Sequence, residues 1–400
     1  MRTLLSRGLL AALVLMPGMV TAQLSLPNAG PVVGGVMDRL GGVVGDVTRP
    51  VADLARDATQ LAGDRLARLS DFVRDHRATV ERDDTGQPAR AHELLMLTPD
   101  PQALAAAVGA GYRVEEQGDL DGLGLGYARL QAPAGMGLAP ALRQLRRLVP
   151  GKEISADQIH FTSGSAAPAP SGAGAPPPSR GGTVGIIDGG VPPGPRIAAQ
   201  AGFAQGGPRP NGHAQEIASL LAGAGTARIY VADVYGGDPA GGNALAIARA
   251  LAWMAGKQVP VVSISLVGPA NPLLARAIAA VRARGMIVAA AVGNDGSAAP
   301  PAFPASYDGV VAVTGVDGRG QVLFEAGRAS HLDYAAPGAD MTAVGLDGRA
   351  HGVRGTSFAA PLAAARIAAL GQLARADREA VGPGPRKGRG VLCGECRKGL

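Results

Sequence analysis

The chain has 400 residues, a hydrophobic content of 46%, only 3% aromatics and a net charge of +6. That is enough apolar matter for two or three domains and too much for a disordered chain. Much of the basic excess lies at the C-terminus, where Arg386, Lys387, Arg389, Arg397 and Lys398 face only Glu395 and no aromatics interleave. This argues against a nucleic-acid-binding face.

Along the chain, Arg2 and Arg7 precede an apolar run, Leu9 to Met16, followed by the small residues Val20-Thr21-Ala22. This reads as a signal peptide over residues 1–22, cleaved after Ala22, with no stable membrane span once it is removed. The expected location is outside the cytoplasm, periplasmic or secreted. Residues 23–89 read as a Gly/Pro-rich segment followed by an amphipathic helix. In that helix Val51, Leu54, Ala58, Leu61, Leu66, Leu69 and Val73 recur at helical spacing among mixed charges.

Residues 90–161 alternate strand and helix patterns in the order βαββαβ, which suggests a small ferredoxin-like α+β unit. Asp100 and Pro101 mark the start of its first helix. Residues 162–182 are Pro, Ala, Ser and Gly almost throughout. Such a linker stays extended and exposed, and it is the place expected for self-cleavage.

From residue 183 the pattern changes. Val184 to Ile187 is a short buried strand that ends at Asp188, at the carboxyl edge where open α/β sheets place their chemistry. His213 precedes Ile217, Leu220 and Leu221, a helix with small residues between its apolar ones. A second buried strand, Met286 to Val292, ends in Gly293-Asn294. Gly355-Thr356-Ser357-Phe358-Ala359-Ala360-Pro361 leads from a loop into an Ala-rich helix. A serine at such a helix start sits among free backbone N–H groups, a fitting place for a nucleophile whose attack creates a negative oxygen. Pro361 is expected to bend that helix.

These four segments, in the order Asp188, His213, Asn294, Ser357, resemble the motifs of the subtilisin-like serine proteases (subtilases, peptidase family S8). The resemblance covers residues 181 to about 372. It extends to Leu251-Ala252-Trp253-Met254-Ala255, Phe303-Pro304-Ala305-Ser306-Tyr307 and Tyr334-Ala335-Ala336-Pro337-Gly338. It implies a subtilisin-like three-layer α/β domain with a mostly parallel central sheet over 183–375. Asp188, His213 and Ser357 would be the catalytic triad, with Asn294 as oxyanion donor. Ser265, Leu266, Val267 and Gly268 would bind a polypeptide substrate as an added strand. It also implies that residues 90–161 act as an intramolecular inhibitor or folding chaperone.

The chain departs from the family pattern at four places. Gly189 stands where a hydroxyl residue is usual, and a local hydrogen bond is expected to be lost there. Ala214 and Gln215 replace Gly-Thr. Val267 replaces a glycine and is expected to narrow the first specificity pocket toward small or medium apolar side chains. The alternative to a protease is a subtilase-fold binding or regulatory protein without activity.

No cofactor is implied, and no acidic cluster has the spacing of a calcium site. Cys393 and Cys396 are expected to form a small local disulfide in a basic tail, residues 376–400. His331 and His351 are expected to be packing or surface residues.

Overall fold

The computed structural model describes residues 51–163, 165–167 and 181–399. The expected signal peptide and the segment up to residue 50 lie outside the described residues. Arg56–Leu400 forms one compact unit. No single described helix is long and apolar enough to cross a membrane.

Helix α1 (Val51–Asp75) leads into β1 (Val80–Arg82). Then follow β2 (Pro88–Leu97), α2 (Pro101–Gly109), β3 (Arg113–Leu120), β4 (Leu125–Gln131), α3 (Leu138–Leu148) and β5 (Ile154–Gln158). Asp100 caps α2 by accepting from the Ala103 N–H at 2.8 Å. The sheet runs β5-β2-β4-β3, with β1 also on β2, and every pairing is antiparallel. That is the ferredoxin-like order. Leu94, Met96, Leu130, Leu142 and Leu145 fill the core between this sheet and α2 and α3.

Two short strands follow, β6 (Phe161–Thr162) and β7 (Ser165–Ala167). The second unit then unfolds as β8 (Thr183–Asp188), β9 (Ile197–Gly202), α4 (Gly212–Gly223), β10 (Arg228–Asp233), α5 (Ala244–Gly256), β11 (Val261–Ile264) and β12 (Leu266–Val267). It continues with α6 (Pro272–Ala283), β13 (Ile287–Ala291), β14 (Val311–Val316), β15 (Tyr334–Pro337), β16 (Met341–Val344), β17 (Ala350–Arg354), α7 (Thr356–Leu370) and α8 (Leu373–Glu379).

Seven of these strands form one parallel sheet, ordered β15-β14-β13-β11-β8-β10-β9. Helices cover both faces, as parallel strands require. Val184 and Ile186 of β8 meet α4 and α7 on one face, and Ile187 meets α5 and α6 on the other. The result is the expected three-layer arrangement. Leu95, Leu97 and Tyr127 of the small unit join the core around α5 and α6, so the two units share apolar surface.

Pro361 lies within α7, which runs on to Leu370. One expectation needs correction. The stretch expected as a basic tail is packed as far as Cys396. Val391 bridges Ala335 and Val381, and Cys393 and Cys396, both buried, form a disulfide. The apolar residues among the charges explain this: Leu392, Cys393 and Cys396 are buried in the core that β8 shares with α4 and α7.

Candidate active site

The chemistry-bearing residues converge at the carboxyl ends of the central strands. Asp188 is the last residue of β8 and is fully buried. Its Oδ2 lies 2.9 Å from His213 Nδ1. His213 stands in the first turn of α4, a helix capped by Asn211, whose Oδ1 accepts from the N–H groups of His213 (2.9 Å) and Ala214 (3.2 Å). Burial pulls the His213 imidazole down, but the charge and hydrogen bond of Asp188 outweigh it and hold the group above 6.5.

The local bond expected to be lost at Gly189 is made by the backbone. The Gly189 N–H donates to Asp188 Oδ1 at 2.8 Å. A Cβ at 189 would fall 2.4 Å from the Cβ of Asn211. The asparagine that caps the histidine helix therefore occupies the space a side chain at 189 would need.

Ser357 is the second residue of α7, whose start has no side-chain cap. Its free N–H groups are used elsewhere. Asn294 Oδ1 accepts from the Thr356 N–H at 3.0 Å, which fixes the carboxamide so that its Nδ2 faces the cleft. Pro361 has no N–H to bond the carbonyl four residues before it, that of Ser357. That carbonyl accepts instead from Ser265 Oγ at 2.7 Å. The proline thus ties the helix start to the strand that follows β11.

Ser357 Oγ and His213 Nε2 are both buried and neither makes a hydrogen bond. The His213 ring lies 5.3 Å from that of Phe358, the neighbour of Ser357. Orphan buried polar atoms cost about 1–3 kcal/mol each, so their clustering here marks a place built for something other than stability.

The cleft is occupied by the chain itself. The Ser163 carbonyl accepts from the Ser357 N–H at 3.1 Å and from Asn294 Nδ2 in a short contact. On one side of that carbonyl β6 pairs antiparallel with β12, Thr162 against Leu266 and Phe161 against Val267. On the other side β7 pairs antiparallel with β17, Ser165 against Arg354. Residues 162–163 and 165–167, expected as exposed linker, instead lie across the site and pair with strands on either side of it. Sequence composition gave no sign of this, since backbone pairing needs no particular side chain.

Further residues hold this strand. The Ser163 N–H and Oγ both reach the Ser265 carbonyl, at 3.3 and 3.2 Å. The His160 N–H donates to the Gly242 carbonyl at 2.8 Å, and Tyr235 Oη donates to the His160 carbonyl at 2.9 Å. Gly242 has φ of +72°, and a Cβ there would lie 2.5 Å from the His160 oxygen. The His160 ring is buried against Gly268, and burial pulls it down to about 4. Beside Ser163 lies a cavity of about 910 Å³, bounded by Val267, Gly293 and Asn294 and by Arg65 and Phe72 of α1.

The small unit also engages the starts of the two helices it covers. Asp157 Oδ1 accepts from the Leu245 N–H at the start of α5 at 2.9 Å. Asn271, the cap of α6, donates to the Ala156 carbonyl at 3.0 Å and to Gln158 Oε1 at 2.6 Å. Burial, with the charge of Glu93, raises Asp157 to about 7. His331 and His351 lie outside the site; they bond the Val310 carbonyl and Asp347. Among the described residues no three His, Cys, Asp or Glu side chains converge as a metal site.

A family model described as "Subtilase family" matches residues 180–380. Subtilisin BL of Lederbergia lenta is 28% identical over 224 residues, covering 52% of this chain and 82% of that protein. Minor extracellular protease Epr of Bacillus subtilis (strain 168) is 25% identical over 205 residues, covering 47% of this chain and only 32% of that protein. Among solved structures, the crystal structure of fervidolysin from Fervidobacterium pennivorans, described as a keratinolytic enzyme related to subtilisin, gives a TM-score of 0.63 at 14% identity. It covers 80% of this chain and 62% of that one, a likeness of fold.

Proposed function

Since the chain belongs to the subtilase family, we propose that it is an exported serine endopeptidase whose first substrate is its own Ser163–Gly164 bond. Its nucleophile is Ser357, its base His213, its orienting acid Asp188 and its oxyanion donor Asn294. The signal-like N-terminus supports export.

The observation that carries this reading is the seat of the Ser163 carbonyl. Two donors, the Ser357 N–H and Asn294 Nδ2, meet on its oxygen, and such donors stabilise an oxyanion more than a neutral carbonyl. His213 Nε2 takes the proton of Ser357 Oγ as the oxygen bonds to the Ser163 carbon. Asp188 holds Nδ1 and stabilises the imidazolium. The proton then passes to the Gly164 nitrogen, the C–N bond breaks, and water releases residue 163 from the acyl-enzyme. Strand pairing on both sides of the bond supports a polypeptide as substrate. After the cut, residues up to 163 remain as a product-like inhibitor, seated by the same hydrogen bonds and by the Asp157 and Asn271 contacts.

A serine-directed fluorophosphonate and mass analysis test this. The wild-type chain should label at Ser357 and yield a fragment beginning at Gly164. Ser357→Ala should do neither and should not hydrolyse casein. An unlabelled, uncut wild-type chain without activity on casein would point to an inactive binding protein instead.

A further inference from the structure

Resting on that reading, we propose that the second half of α1, residues 59–75, is a separate inhibitory strap. Its docking surface is the rim of the cleft beside the oxyanion residue. The helix precedes the ferredoxin-like unit and adds no strand to it. Near its end it touches that unit, where Arg82 donates to Ser70 Oγ at 2.8 Å and Phe72 and Val73 pack on Val80 and Ile159; its other long-range contacts go to the cleft.

Three contacts define the surface. Arg65 Nε lies 3.2 Å from Asp295 Oδ2, and Arg68 Nη2 makes a shorter contact to the other oxygen of the same carboxylate. Asp295 directly follows Asn294, so the pair of arginines anchors at the residue next to the oxyanion donor. Leu61 packs on Gly296, where a Cβ would come 3.0 Å from Leu61 Cδ1. One helical turn beyond Arg68, Phe72 meets Phe161 edge to face, with ring centroids 4.9 Å apart.

Arg65, Arg68 and Phe72 stand at spacings of three and four, so they share one face of the helix. Phe161 belongs to the strand that lies across the site. The helix thus touches that strand through Phe161, while its arginines grip the protease unit. After hydrolysis at Ser163 the product strand is held twice, by its own hydrogen bonds and by the strap above it. The ligand this rim selects is a helix presenting two guanidinium groups and an aromatic ring. Its own chain supplies one.

The arrangement predicts a salt-sensitive release step that follows the cut. Full-length wild type and an Arg65→Ala/Arg68→Ala variant would be followed for two events, the cut at Ser163 and the later exposure of Ser357 to a fluorophosphonate. The expected result is an equal rate of cutting, but exposure at least fivefold faster in the variant. Raising wild type to 1 M salt, where charges are screened within about 3 Å, should accelerate exposure more than it does in the variant, which keeps only the other ion pairs between the units, such as Arg90–Asp238 and Arg276–Glu153. Equal exposure rates in both proteins, with the same response to salt, overturn the strap while leaving the protease reading intact. Chains that are neither cut nor labelled under any condition overturn both.

Discussion

The carbonyl oxygen of Ser163 stands 3.1 Å from the backbone nitrogen of Ser357, across 194 positions of sequence. The nucleophile's own N–H thus already grips a peptide carbonyl, and the carboxamide of Asn294 grips it from a second direction. Asn294→Ala removes that second donor. It should lower kcat on peptide substrates by about 100- to 1,000-fold and slow the appearance of the Gly164 N-terminus in parallel. Loss of less than tenfold in both would deny Asn294 its role.

On the proposed mechanism, His213 sets the acid limb of activity. It must be neutral to accept the Ser357 proton, and Asp188 holds its pKa above 6.5. The imidazole therefore stays charged, and the enzyme idle, to a higher pH than an ordinary histidine would impose. Asp188→Asn removes the charge that raises it. The variant's kcat should fall by about 10,000-fold, and the acid limb of its residual activity should move to lower pH. A limb that stays in place, measured as kcat/KM against pH, would refute this assignment.

Two buried groups of the small unit push the pH dependence of stability in opposite directions. His160 is held at about 4 in the folded chain, with no charged side chain against its ring, so below 6.5 the unfolded chain takes up a proton the folded one refuses. Stability is lost as pH falls from 6.5 to 4, by about 3 kcal/mol in all. Asp157 is raised from 3.8 to about 7, by burial and by Glu93 against the weaker pull of Arg90 and Arg249. Its folded form keeps a proton that the unfolded chain gives up, so stability is lost as pH rises from 3.8 to 7, by about 4 kcal/mol. In a Ser357→Ala background the two should nearly cancel. Adding His160→Phe should make the chain more stable on acidification, and adding Asp157→Asn should make it less so. Thermal unfolding at pH 4.5, 5.5 and 6.5 reads the slopes, and identical slopes in all three proteins would contradict the account.

Val267 is the residue expected to narrow the first specificity pocket, and its Cγ1 lies 3.4 Å from the point a Cβ on Gly293 would occupy. The proposed self-substrate accordingly offers a small residue, Ser163. Peptides ending in Ala or Ser at the cleaved position should be preferred over Phe. Val267→Gly should raise kcat/KM for the Phe peptide by about tenfold or more. A wild-type preference for Phe would sink the idea.

The side chains of the candidate site were legible because each stands at a punctuated place in the sequence. Asp188 ends a β-branched run, His213 opens a helix, Asn294 follows a strand and a glycine, and Ser357 follows Gly355 into an alanine-rich helix. The parallel sheet was legible for the same reason: buried strands alternate with helices from residue 183 onward. The βαββαβ order of the small unit could be read from its periodicity.

Other features have no local signature. Nothing in Thr162-Ser163 announces a strand in the cleft, since the pairing uses backbone groups that every residue owns. Asn211 reads as a helix cap, but only packing shows that its Cβ excludes a side chain at Gly189. Arg65, Arg68 and Asp295 look like solvated charges until the fold sets them 3.2 Å or less apart over more than 220 positions. The sequence by itself determined which groups could do chemistry, because local periodicity and punctuation fix where a strand ends and a helix begins. Tertiary structure alone decided what occupies the cleft and what straps it, because those contacts depend on distances between segments that no local pattern encodes.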